Sequence, residues 1–169
     1  MNFLSRRSIR KYSEKKVEKE KIQEIMVAAA LSPSGNNSRP YEFIVIDDKE
    51  LIKKLALSKI TGGQFAIEAP IMIVVVGHNI IATMEDDCAI ASTIIQLKAH
   101  DLGLGTCWIQ TKNKVNEVGD STSDVIREIL KIPKDIHVNN MIALGYPDEV
   151  KVEYTEKDAN MKLLHYNRY

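Results

Sequence analysis

Six consecutive apolar residues, Ile71-Met72-Ile73-Val74-Val75-Val76, follow Pro70 and lead into Gly77-His78. A run this short cannot span a bilayer. Its β-branched content and its lack of polar alternation instead predict a strand over 71–78 that is buried on both faces. A strand covered on both faces needs helices or a second sheet on each side. The chain has 169 residues, and a folded chain of that length buries about 70% of its surface, so one core suffices. No repeat, low-complexity tract or Pro/Gly-rich linker interrupts it, and a single domain over 1–169 is expected.

The remaining elements fall around that strand. Ile22, Ile25, Met26 and Ala29 recur at helical spacing, and Pro33 should end that helix. Glu42 to Asp47 reads as a short strand. Asp47 and Glu50 then form a plausible capping box for a helix burying Leu51, Ile52 and Leu55. Glu85 to Leu102 is the longest predicted helix, with Gly103 as its C′ residue. Cys88, Ala91, Ile95, Ala99 and Leu102 line one face, while Ile90, Ile94 and Leu97 lie off it. Such a helix is buried between layers or in a subunit interface. Thr106 to Ile109 reads as extended. Ser123 is the expected cap of a helix carrying Val125, Ile126, Ile129 and Leu130, and Asn140 to Gly145 is a last strand. Helices and strands alternate irregularly, and no strand–helix unit carries a three-glycine fingerprint. The pattern favours an α+β fold, with helices on a mixed sheet, over a doubly wound one.

Lys plus Arg and Asp plus Glu are 23 each. A net charge of zero argues against a basic nucleic-acid binder, though not against a local patch. Between Arg6 and Lys21 there are eight basic and three acidic residues, a distribution that usually means a solvated segment. Cys88 and Cys107 are too few and too far apart for a disulfide scaffold. Met1 to Arg10 has no apolar signal core. A reduced, soluble, cytoplasmic protein is expected. His78, His100, His137 and His165 show no metal-ligand spacing, so no metal is expected.

Four clusters could carry chemistry. Arg6-Arg7-Ser8-Ile9-Arg10 gathers three guanidiniums and a hydroxyl, a donor set suited to one phosphate. Ser32-Pro33-Ser34-Gly35-Asn36-Asn37-Ser38-Arg39-Pro40 is a polar loop whose amides can both donate and accept. Gly103-Leu104-Gly105-Thr106-Cys107-Trp108-Ile109 lets the backbone approach a flat ligand. Gly145-Tyr146-Pro147 is a strand end and turn. Each alone reads more readily as something ordinary: the first as a solvated N-terminus, the second as a turn, the third as a helix cap and strand with Trp108 in the core, and the fourth as a strand end with no chemistry of its own.

In this order, and with Leu164-His165-Tyr166 at the close, the clusters resemble the nitroreductase family, over about Ser5 to Tyr169. The resemblance implies a three-layer α+β sandwich. A mainly antiparallel central sheet is flanked by helices, and FMN is held at a homodimer interface. It implies an NAD(P)H-dependent oxidoreductase that passes hydride through flavin N5 to a nitroaromatic, quinone or similar acceptor by a ping-pong mechanism. It needs no protein nucleophile, nucleic acid or membrane. Matched residue by residue, Arg6, Arg7 and Ser8 are similar to the family's phosphate and ribityl contacts, and Arg10 to its basic residue near the pyrimidine edge. Asn37, with Ser34 nearby, matches the flavin-contacting loop. Cys107 and Ile109 fall on the segment meeting the ring, with the Ile109 amide as the N5 partner. Lys157 matches a basic residue reaching the phosphate.

Three positions depart from the family pattern. Arg39 stands where Gln is common and adds a cation near the flavin. Tyr41 stands where Trp is common, and Asp158-Ala159-Asn160 replaces a basic-Pro run. Neither Lys59 to Glu68 nor Asn79 to Asp86 leaves room for the helical lid of longer members. Same-fold chemistries, such as reductive dehalogenation or flavin breakdown, stay open on the sequence. A nucleic-acid-binding module is a more distant alternative.

Overall fold

The structure, a computed structural model, describes residues 2–78 and 80–169. Asn79, at the start of one segment too short for a lid, lies outside them. Four strands form one sheet in the order β1-β2-β4-β3: β1 Tyr41–Ile46, β2 Ile71–His78, β3 Gly105–Gln110 and β4 Ile136–Gly145. All three neighbouring pairs are antiparallel. The apolar run 71–78 occupies the predicted span as β2, an interior strand whose first seven residues are all buried.

Four helices cover the two faces. α1 (Lys19–Ala30) and α3 (Met84–Asp101) close one, over Ile71, Ile73, Val75, Ile142 and Leu144. α2 (Lys49–Ala56) and α4 (Thr122–Leu130) close the other, over Met72, Val74, Val76, Met141 and Ala143. Successive side chains of β2 and β4 thus serve opposite cores, which is why their sequences show no polar alternation. The result is an α+β three-layer sandwich.

Several boundaries differ from expectation, each for a local reason. α2 is capped by Asp48, whose carboxylate accepts from the Leu51 amide at 2.9 Å. Asp47 and Asp48 are chemically equivalent caps, and the strand's end puts Asp48 in the position. Such a cap contributes about 1 kcal/mol. α4 starts at Thr122 after Ser121, so Ser123 lies inside the first turn and does not cap. β4 begins at Ile136, four residues before Asn140. A bulge at Asn139, between the pairs Val75–Asn140 and Val76–Val138, breaks the apolar pattern there without ending the strand. α3 ends as expected, with Gly103 in the left-handed conformation (φ 76).

The sheet is not mixed among the four strands. The parallel contact comes from the N-terminal segment, where Ser8 bridges Thr106 on the free side of β3. Ile9 N–H donates to the Thr106 carbonyl at 2.9 Å. Gly105 permits this approach: a Cβ there would stand 2.7 Å from the Ile9 side chain. The basic segment 6–10 is therefore docked on the sheet rather than simply solvated.

Candidate functional site

The parallel pairing stops after one bridge. The Ile9 carbonyl accepts from Tyr12 Oη at 2.6 Å, and no second rung to Trp108 follows among the described residues. Tyr12 is buried, and burial holds its phenol far above the ordinary tyrosine range. Further along, the Gln110 carbonyl accepts from Lys59 Nζ at 2.9 Å. Thr106 and Gln110 thus both turn their main-chain groups to the outer edge of β3. Strand alternation turns those of Trp108 outward as well, and those of Cys107 and Ile109 inward to Ala143 and Met141 of β4. The Ile109 amide, expected at the flavin N5, is engaged in the β3–β4 ladder, and its side chain is 1% exposed. The outward amides of this segment belong to Trp108 and Gln110.

The first basic cluster is gathered as the sequence suggests. Arg6, Arg7, Ser8 and Arg10 line a cleft of about 280 Å³, joined by Lys151 and Tyr154 from the C-terminal tail. The tail is held there by Arg7, whose guanidinium lies 4.2 Å from the Tyr154 ring centroid and donates to the Val152 carbonyl. Glu149 bonds the Arg10 amide at 2.5 Å and Lys151 Nζ at 2.5 Å. The Lys151 contact holds the Glu149 carboxyl below its usual range. Four cations outnumber the carboxylates that act on them, Glu149 at Arg10 and Lys151 and Asp158 at Arg7, and leave the cleft positive. Lys151 and Tyr154 are site residues that the sequence reading missed. No motif marks them, and only the tail's return along residues 4–11 brings them in. Lys157 sits exposed on a single 3-10 turn, Glu156–Asp158, outside the residues lining this cleft.

Arg10 extends the positive wall towards Phe65, with its guanidinium 5.8 Å from that ring centroid. Cys107 is 3% exposed, and burial raises its thiol pKa against the opposing pull of Arg10 and Ser8. A protonated, enclosed thiol packs and does not attack. Among the described residues, no group of three or more His, Cys, Asp or Glu is placed to hold a metal.

Ser34, Asn37 and Arg39 form a second corner. Asn36, Asn37 and Arg39 all have positive φ (53, 54 and 47). Asn adopts this conformation readily, whereas at Arg39 it carries a backbone cost. The Arg39 amide is held by Ser34 Oγ at 2.9 Å, and its Nε by Asn37 Oδ1 at 3.1 Å. Asp87, a buried carboxylate on α3, accepts from the Gly35 amide at 3.0 Å and from Thr83 Oγ1. Asp87 is thus the anchor of the loop, a role hidden in sequence among the other acids of the first turn of α3.

The two corners do not meet within one chain. Ser8 pairs with Thr106, which is opposite Leu144 and through it Ile71. Tyr41, just after the loop, is opposite Gly77, six residues further along β2 and on the other edge of the sheet. Strand spacings put the corners about 25 Å apart.

Comparison with known proteins places this architecture. Residues 4–68 and 59–146 match the model described as the Nitroreductase family. The chain belongs to the nitroreductase family. This family member is similar to a solved FMN-dependent nitroreductase from Clostridium difficile R20291, with 42% identity and a TM-score of 0.96. That match covers 99% of this chain and 98% of the other. It is 35% identical to an Archaeoglobus fulgidus protein named for NADH dehydrogenase/NAD(P)H nitroreductase activity, over 91% of this chain and 88% of that one. A Bacillus subtilis FMN reductase [NAD(P)H] is 27% identical, over 83% of this chain and 62% of its own length. No helix among the described residues is long and apolar enough to cross a membrane.

Proposed function

We propose that this nitroreductase-family chain is an FMN-dependent oxidoreductase that moves hydride from NAD(P)H to a small acceptor such as a nitroaromatic or quinone. The observation that carries this reading is the cleft of Arg6, Arg7, Ser8, Arg10 and Lys151 beside the open edge of β3 at Trp108. The donor set fits FMN. Three guanidiniums, a hydroxyl and an ammonium suit a phosphomonoester of about −1.5 to −2 charges. The outward amides beyond them suit the acceptor edge of a planar ring.

In this reading Arg6, Arg7 and Ser8 hold the phosphate, with Lys151 beside them. Lys157 joins only through movement of the tail. Arg10 lies towards the ring's electron-rich edge, where a cation favours the charge that reduction adds. Cys107 packs beneath the ring. The outward amides of Trp108 and Gln110 take the main-chain role assigned by resemblance to Ile109. Bound FMN supplies the hydride acceptor and donor. Nicotinamide donor and oxidant use one face in turn, which makes the kinetics ping-pong. No acid, base or nucleophile of the chain is required for the transfer.

Ser34, Asn37 and Arg39 complete the site of a second copy, since their own corner lies too far from their own Arg6 cluster. The exposed apolar tail supports this pairing: Val150, Val152, Leu163 and Tyr166 are all more than three-quarters exposed in the single chain. A second copy is the surface that would cover them.

The test is an absorption spectrum of the purified protein, followed by anaerobic addition of NADH and then NADPH. A flavin band that bleaches with either donor is the expected result, in a particle of twice the 19.1 kDa chain mass by light scattering. A protein that takes up no FMN, even after incubation with it, overturns the proposal. A 19.1 kDa particle that retains FMN overturns the shared site.

A further inference from the structure

Among the described residues, Lys59 is a buried cation without an acidic partner. It is 7% exposed, and its ammonium bonds the Gln110 carbonyl at 2.9 Å. The charged neighbour that acts on it is another cation, Lys114. A carbonyl dipole compensates a buried ammonium only in part. Its placement is nevertheless enforced. Gln64 Nε2 bonds the main-chain carbonyls of Lys59 and Ile60, at 3.2 and 2.5 Å. The Ile60 amide bonds Val115 at 3.0 Å. Phe65 follows directly, beneath Arg10. Arg10, Phe65, Gln64 and Lys59 therefore form one wall running along the open edge of β3, from Ser8 to Gln110.

We propose that Lys59 is a positioning residue. It fixes the Gln110 end of the flavin-facing edge and, through its charge, biases bound FMN towards the reduced form. The inference rests on the FMN reading above. Reduction adds negative charge to the ring, and a cation lacking a counter-charge gains most from a negative charge placed nearby. Burial and Lys114 both lower the Lys59 pKa, so its charged form has that interaction to gain.

The experiment is a redox titration of the FMN-loaded protein against a reference dye, with FMN affinity measured in parallel. In Lys59→Met, the reduced-to-oxidised equilibrium is expected to fall about tenfold, about 30 mV for a two-electron couple. Affinity for reduced FMN should fall about tenfold more than affinity for oxidised FMN, and Lys59→Arg should restore most of the shift. Lys114 is exposed, so Lys114→Glu offers Lys59 a carboxylate without touching the core. It should shift the equilibrium in the same direction, and it decides the matter if Lys59→Met does not fold. An equilibrium unchanged in the folded variants overturns the proposal, as does a Lys59→Arg shift as large as that of Lys59→Met. Wild-type protein with no flavin spectrum overturns the FMN reading itself, a result distinct from an unshifted potential.

Discussion

Arg6→Ala is expected to weaken FMN binding about ten- to hundredfold, the equivalent of one lost hydrogen bond to a charged group at about 1.5–3 kcal/mol. Arg6 is the better choice over Arg7 because Arg7 also holds the tail through Tyr154 and Val152. Its removal would mix phosphate loss with tail release. Arg6 lines the proposed phosphate cleft and two neighbouring clefts that reach His100 and α3, at the crossing of the N-terminal segment with the sheet. The unfolding temperature of the flavin-free protein should change little, since the side chain is only half-buried. Fluorescence titration with FMN reads the effect, because free flavin emits strongly and bound flavin is quenched. An unchanged dissociation constant would remove Arg6 from the phosphate site and shift the weight to Arg7, Ser8 and Lys151.

The second large effect concerns the sheet. Ile142→Ala should lower the unfolding free energy by about 3 kcal/mol, within the range for a buried Ile or Leu truncation. Ile142 is fully buried on β4, opposite Ile73 on one side and Trp108 on the other, under the α1–α3 layer. The surrounding β-branched strand positions cannot collapse into the gap, because their backbones are fixed by ladders on both sides. Urea unfolding of the flavin-free protein should show a lower midpoint at unchanged slope. A loss below about 1 kcal/mol would mean that the core repacks around the site. Because β4 is also the strand on which β3 rests, FMN affinity should fall along with stability.

The legibility of this chain follows its physics closely. β2 was readable to its ends because a strand buried on both faces needs an unbroken apolar run, and Pro70 marks its start. α3 was readable within one residue because its small buried face and its glycine stop are both local signals. The Arg6–Arg10 cluster was readable as a donor set, but not as a strand-like segment. Ser8 pairs with Thr106 through main-chain groups, and its side chains carry no trace of that pairing. The Ile109 amide was assigned from resemblance, whereas a single alternation of the strand turns that amide to β4 and those of Trp108 and Gln110 outward. The carbonyls of Thr106 and Gln110 fix the phase, and both are tertiary contacts. Lys151, Tyr154 and Asp87 were missed because they acquire their roles only when distant segments return. Lys59 carries no motif in sequence, beside Ser58, Ile60 and Thr61. Only the folded loop hides it.

The diagonal placement of the two half-sites has a genetic consequence. In the proposed pair of subunits, one pocket would draw Arg6 from the first chain and Asn37 from the second, and the other pocket would draw the reverse. A mixed pair of one Arg6→Ala chain and one Asn37→Ala chain then carries both lesions in a single pocket and none in the other. Two alleles that each cripple the protein when expressed alone should restore half of the flavin sites when expressed together.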